Sequence, residues 1–111
     1  MIIKNLRDTP KTSISRNSSV IKQALLINNE IPHITNFAKV VFPVGESDPQ
    51  HNHIDMYEVI LVLKGQGILE TLEKTYILGP GDCVTISPKE HHSIKNTGKS
   101  LLALICFGVK K

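Results

Sequence analysis

The chain has no tryptophan, two tyrosines, three phenylalanines and only two cysteines in 111 residues. Cys83 and Cys106 each sit inside an apolar stretch without C-x-x-C spacing, which argues against a disulfide scaffold or a thiolate zinc site and suits buried free thiols. Long hydrophobic runs are missing too. The longest, "LLALICFGV" from Leu101 to Val109, is about half of what a membrane-spanning helix needs. The opening "MIIKNLRDTPKTS" has no apolar core of a secretory signal, so a soluble, cytoplasmic protein is expected. Basic blocks are absent: net charge is +3 and the pI near 9.0, but apart from Lys110-Lys111 the lysines stand singly, without interleaved aromatics. That pattern describes a solvated surface rather than a nucleic-acid footprint, and no membrane partner is expected.

What is present is ordinary globular material, 41% hydrophobic and 21% charged in 12.3 kDa, enough for one core. Residues 1–30 differ in tone from the rest. The polar "TPKTSISRNSS" reads as a loop or arm between "MIIKNL" and "VIKQALLI", and the latter fits a strand or a short helix equally well. From Asn36 onward the text is strand-like. "NFAKVVFPV", "YEVILVLKG", "GILETLEKTYIL", "GDCVTIS", "HSIKN" and "LLALICFGV" are separated by turn signals at Gly65, Gly67, Gly79-Pro80-Gly81, Pro88 and Thr97-Gly98. The expectation is an all-β sandwich or barrel over residues 31–111 with an N-terminal arm or strand over 1–30.

The chemistry concentrates in "GESDPQHNHIDMYEVILVLKG". On a strand His51 and His53 project to one face, and the short "IDMY" lets Glu58 turn back toward them. His92, in "SPKEHHSIKN", supplies a third imidazole from far along the chain. Three imidazoles and a carboxylate suit a divalent transition metal, and a carboxylate at the mouth of the apolar "VILVL" strand needs a partner. On the residues alone, a hydrogen-bonded polar cluster without metal is an equal alternative.

The spacing G45-x5-H51-x-H53-x4-E58-x6-G65 resembles the first motif of the cupin superfamily. Gly81, Asp82, His92 and Asn96 fall at the separations of the second, with the short stretch Gln66 to Pro80 between the motifs. Ser87 stands where the family often has proline and Lys89 where it has glycine; neither change removes a ligand. The resemblance covers residues 45–96, about half the chain, and is to small single-domain conserved-barrel members. It implies a double-stranded β-helix, or jelly roll, with one Fe, Mn, Ni, Co, Cu or Zn ion bound by His51, His53, Glu58 and His92. It also implies a homodimer, and a choice among dioxygenase, isomerase, epimerase, decarboxylase and lyase chemistry that the motifs do not make.

Other residues weigh less. Gln50 and Tyr57 flank the ligands and are candidates to orient an imidazole or a substrate, against ordinary rim packing. His91 faces away from His92 if the segment is extended, and His33 follows Pro32 in a loop-like context. Arg7 and Arg16 are the only arginines, both in the N-terminal arm. Unless one of them folds over the barrel mouth, a di-acid or sugar phosphate is a poorer ligand than a small neutral or enolic one, since lysines such as Lys39 or Lys89 bind anions less specifically. Two functions follow: a metal-dependent enzyme in which Glu58 is a ligand or a base, or a non-catalytic metalloprotein that binds or senses a small ligand.

Overall fold

The alternation of apolar and polar side chains resolves into ten strands. In the computed structural model, which describes residues 1–111, these are β1 (Thr12–Ile14), β2 (Asn17–Leu26), β3 (Ile34–Phe42), β4 (Ser47–His51) and β5 (Met56–Lys64). They continue as β6 (Gly67–Thr71), β7 (Thr75–Leu78), β8 (Cys83–Ile86), β9 (His92–Asn96) and β10 (Leu102–Lys110). The only helical element is a single 3-10 turn, Leu6–Asp8, and no helix is long and apolar enough to cross a membrane.

The strands form a six-stranded sheet in the order β1-β2-β3-β10-β5-β8 and a four-stranded sheet in the order β4-β9-β6-β7, every pairing antiparallel. Two such sheets face to face make the expected all-β jelly roll. The segment "VIKQALLI", which periodicity left between strand and helix, lies in β2 except for its last residue, Ile27, and pairs with β3. The polar tract before it contributes β1 and the turn to β2, so a hairpin stands where a loop or arm was read. Residue 30 falls in the connection between β2 and β3.

The inner faces supply the core. Val20, Val40, Phe42, Ile60, Val62 and Leu104 come from the large sheet and Leu69, Leu78 and Ile94 from the small one. At about 1.5–3 kcal/mol for each fully buried large aliphatic side chain, this interior is the main force holding the layers together. Two backbone devices set the turns. Gly65 sits at φ 89°, and a Cβ there would run into the Leu101 carbonyl oxygen, so the β5–β6 turn packs against the start of β10 only without a side chain. Asn96 is 1% exposed; its Nδ2 donates to the carbonyls of Phe42 (2.9 Å) and Ser100 (2.8 Å), and its Oδ1 accepts from the Gly98 amide (2.9 Å). One side chain thus ties the end of β3 to the β9–β10 turn.

Along one long edge the hairpin reaches across to the other sheet. Asn17 donates to Glu46 and to the Ser47 carbonyl, and Arg16 grips Asp48 through two bonds, Nε to Oδ1 at 2.6 Å and a terminal nitrogen to Oδ2 at 3.0 Å.

Candidate metal centre

Three imidazoles meet between the sheets because of strand register. His51 ends β4 and pairs with His92, which opens β9, so the two side chains are neighbours on the inner face of the small sheet. Their ring centroids lie 4.2 Å apart. His53 lies past the end of β4, in the connection to β5, and not on a strand as alternation suggested. It is brought back by the loop itself, whose position is fixed by the Lys89 amide donating to the His53 carbonyl at 2.6 Å. Lys89 makes that bond from φ 70°, the left-handed region that glycine takes without cost. The departure from the motif therefore keeps the turn and accepts strain in place of a glycine.

The hydrogen bonds on the far side of two rings decide what the near side offers. His51 Nδ1 lies 2.7 Å from the Pro49 carbonyl and His92 Nδ1 3.0 Å from the Glu90 carbonyl. A carbonyl only accepts, so each Nδ1 carries the proton and each neutral ring presents its Nε2 lone pair inward. The Nε2 atoms of His51, His53 and His92 are buried and have no hydrogen-bond partner. Ligand nitrogens of the three residues lie within 4.8 Å of one another. Three convergent buried ring nitrogens without a partner would each cost roughly 1–3 kcal/mol if left so, and a cation that takes their lone pairs removes that penalty. The histidine cluster can coordinate a metal ion.

Glu58 approaches from the opposite layer. It lies on β5 beside Gly108 and Ile86, and its side chain is 17% exposed. Its Oε2 is 3.2 Å from His53 Nε2, without the alignment of a hydrogen bond, and its Oε1 is 3.7 Å from His92 Nε2. Burial by itself would raise the Glu58 carboxyl, but the imidazoles of His53 and His92 outweigh it and hold the group below the usual carboxylate range. The same balance acts on His92: burial disfavours its charged form, yet Glu58 and the Glu90 carbonyl prevail and its pKa is raised. At His51 burial prevails instead: it outweighs the Pro49 carbonyl and Asp48, which favour the charged form, and the pKa is lowered. Glu58 is therefore an anion touching two of the three histidines.

Beside this cluster lies a cavity of about 400 Å³. Its walls include His53 and Glu58, the apolar Val40, Phe42, Ile60 and Leu104, and the polar Arg16, Lys22, Asn36 and Asp48. Arg16 thus does fold over the mouth, the condition under which a carboxylate becomes a reasonable ligand. Its own charge is held by the hydrogen bonds to Asp48, which raise its pKa. Asp48 Oδ1 also lies 3.7 Å from His51 Nδ1, so one carboxylate links the arginine to the histidine cluster. A second cavity of about 450 Å³ opens at the other edge, between β7 and β8, and reaches His92.

The remaining sequence candidates lie elsewhere. Tyr57 is 41% exposed on the outer face of β5, since its neighbour Glu58 points inward, and Gln50 is exposed on β4. Neither orients an imidazole; the backbone carbonyls of Pro49 and Glu90 do that. His91 is exposed on the rim, and His33 is exposed at φ 73°. Beyond Arg16, the cavity holds three polar residues that the motifs do not mark: Asp48, Lys22 and Asn36. Alternation could have found two of them, because Lys22 is in phase with Val20 on β2 and Asn36 with Ala38 and Val40 on β3, and all three of those are buried.

Comparison with known proteins agrees with this geometry. A family model described as "Cupin domain" matches residues 38–108. An uncharacterized protein of Methanocaldococcus jannaschii is 30% identical over 105 residues, 95% of this chain and 84% of that protein. An oxalate-binding protein of Thermotoga maritima is 27% identical over 109 residues, 95% of this chain and 90% of its own. Among solved structures, a predicted oxalate decarboxylase from Thermotoga maritima superposes with a TM-score of 0.90 at 23% identity, covering 99% of this chain and all of that one. The polyketide cyclase RemF from Streptomyces resistomycificus superposes with a TM-score of 0.86 at 16% identity, covering 100% of this chain and 80% of its own. With two motifs in place, a two-sheet jelly roll and three histidines converging inside it, the chain belongs to the cupin family as a single-domain barrel of the second conserved type.

Proposed function

We propose that this protein is a metal-dependent enzyme of the oxygenase, isomerase or lyase kind, holding one divalent transition metal through His51, His53, His92 and Glu58. The observation that carries the reading is the set of three buried Nε2 atoms, none with a hydrogen-bond partner, beside an ionised carboxylate. A bound Fe, Mn, Ni, Co, Cu or Zn ion supplies positive charge that polarises a substrate oxygen and eases ionisation next to it. The chain does the rest. The Pro49 and Glu90 carbonyls fix the tautomers of His51 and His92, and Val40, Phe42, Ile60 and Leu104 give part of the cavity an apolar wall. Glu58, the proposed catalytic residue, accepts a proton at Oε1 or Oε2 when it is not needed as a ligand.

The substrate that fits best is small and enolic. A carboxylate on it is supported by Lys22 on the cavity wall and by the likeness to a Thermotoga oxalate-binding protein, which outweigh the scarcity of arginine that favoured a wholly neutral one. That same likeness supports a second reading, a non-catalytic protein that binds a small acid at its metal.

Elemental analysis of untagged protein, with a His51→Ala/His53→Ala control, tests the centre. Near one equivalent of a first-row metal, lost in the control, is expected; wild-type protein that stays empty after attempted refilling would refute it. Proton exchange of small enolisable acids in D₂O, followed by NMR, then separates the two readings. Exchange that disappears in Glu58→Gln supports the enzyme, and binding without exchange supports the second.

The outer face of the large sheet is apolar at β5, where Tyr57, Leu61 and Leu63 are 41%, 39% and 46% exposed. A second copy of the chain covering this face in a homodimer is part of the reading, and sedimentation of the wild type against Leu61→Glu tests it: one half the mass of the other is expected.

A further inference from the structure

The cavity beside the histidines carries a cation that nothing in the fold neutralises. Lys22 follows Val20 by one alternation step on β2, and Val20 is 0% exposed, so the lysine also projects between the sheets. It lines the cavity, and its charge is felt at the Cys106 thiol on the same wall. Every ion pair of the structure involves other groups: Lys4 with Glu30, Arg16 with Asp48, and the histidines with Asp48 or Glu58. Asn36 lines the same cavity from β3, and its Oδ1 is buried without a hydrogen-bond partner. A half-turn of that amide presents its Nδ2 donors instead, so the side chain serves either an acceptor or a donor on a ligand.

We propose that Lys22 and Asn36 form a second polar subsite in the cavity, and that the ligand is a small dicarboxylate with one carboxylate at the histidine–Glu58 centre and the other on Lys22. The inference rests on the metal reading above, through charge. A divalent ion less the charge of Glu58 leaves one positive charge; Arg16 and Asp48 cancel; Lys22 adds a second. Two positive charges in a partly apolar cavity call for two negative ones. Size sets the span. At ~30 Å³ per water, about 400 Å³ holds roughly a dozen waters, so a two-carbon di-acid would leave much of the space empty. The apolar walls suit methylenes between the two ends. Arg16 is already committed to Asp48 at both ends of its guanidinium edge, which leaves the anchoring to the lysine.

The test compares succinate with butyrate, its one-carboxylate counterpart, by calorimetric titration of metal-refilled protein whose metal content is measured in parallel. Succinate is expected to bind about tenfold tighter or more, the range of a charged hydrogen bond. Lys22→Met should remove that preference while leaving metal content unchanged, and Lys22→Arg should restore part of it. Asn36→Asp, which sets a carboxylate against the incoming one, should weaken succinate binding by a similar factor. Metal-loaded wild type that binds the two acids equally would overturn the subsite without any variant having to fold, as would a Lys22→Met protein that keeps the preference. Wild type that takes up no metal fails the metal reading itself and the dicarboxylate with it, a result told apart by the elemental analysis alone.

Discussion

Replacing Asn96 with alanine should cost about 3 kcal/mol of folding stability. The side chain is 1% exposed and makes three hydrogen bonds, all to backbone: two donated to the Phe42 and Ser100 carbonyls and one accepted from the Gly98 amide. Each is worth about 0.5–1.5 kcal/mol net, and more where the abandoned partner stays buried. The Phe42 carbonyl is such a partner, since Phe42 itself is 2% exposed. For a domain of this size the loss corresponds to a fall in melting temperature on the order of 10–15 °C. Urea unfolding followed by far-ultraviolet circular dichroism, chosen because the chain lacks tryptophan, gives the free energy directly. The midpoint should drop with the slope unchanged. Asn96→Asp should be at least as damaging, because it keeps an acceptor for Gly98 but sets an oxygen against the two carbonyls. Metal stoichiometry should be unaffected, as Asn96 is four residues from His92 along β9, about 13 Å at ~3.3 Å per residue. A loss below about 1 kcal/mol would show that the three backbone groups find other partners, and the clamp would be wrong.

Lys89→Gly should stabilise the protein by about 0.5–1 kcal/mol, since relief of a left-handed conformation worth about 1–2 kcal/mol exceeds the backbone entropy glycine adds; a midpoint that falls would show φ 70° to be unstrained. Thiol labelling should find one fast cysteine, the exposed Cys83, and one slow one. Burial pushes the Cys106 thiol up to about 12, so its thiolate is scarce at pH 8, and equal rates would contradict the packing. Metal affinity should fall as pH drops through and below the ordinary histidine range, because each Nε2 must be unprotonated to bind. The raised pKa of His92 moves the onset of that loss to higher pH, and retention of the ion at pH 5 measured by chelator competition would count against imidazole ligation.

Much of the sandwich was legible because most strands are buried on one face and alternate accordingly. "YEVILVLKG" became β5 and "LLALICFGV" became β10 with little adjustment. The parts that escaped share a physical cause. β1 and β4 lie at sheet edges, where one side meets solvent and the hydrophobic pattern fades; "SDPQH" even tolerates Pro49, as an edge allows. The histidines could be grouped by spacing, since His51 and His92 are held by strand register, whereas Arg16 and Asp48 meet across 32 residues through a side-chain contact that no local pattern encodes. Gln50 and Tyr57 flank the ligands in sequence, yet both are exposed. Orientation came instead from carbonyls, which every residue possesses and no sequence reveals.

The register that pairs His51 with His92 puts both in the small sheet, while Glu58 approaches them from the large one. At this end of the sandwich an ion bound by all four would act as a rivet between two plates otherwise joined by apolar side chains. The spacing of the plates and the fit of the ion then become one quantity. A swap of volume in the shared interior, such as Ile60→Val or Leu69→Val, would be read at the rivet without any ligand being altered. Loading the ion would in turn stiffen the layers against shear, so that occupancy is reported by the mechanics of the whole barrel.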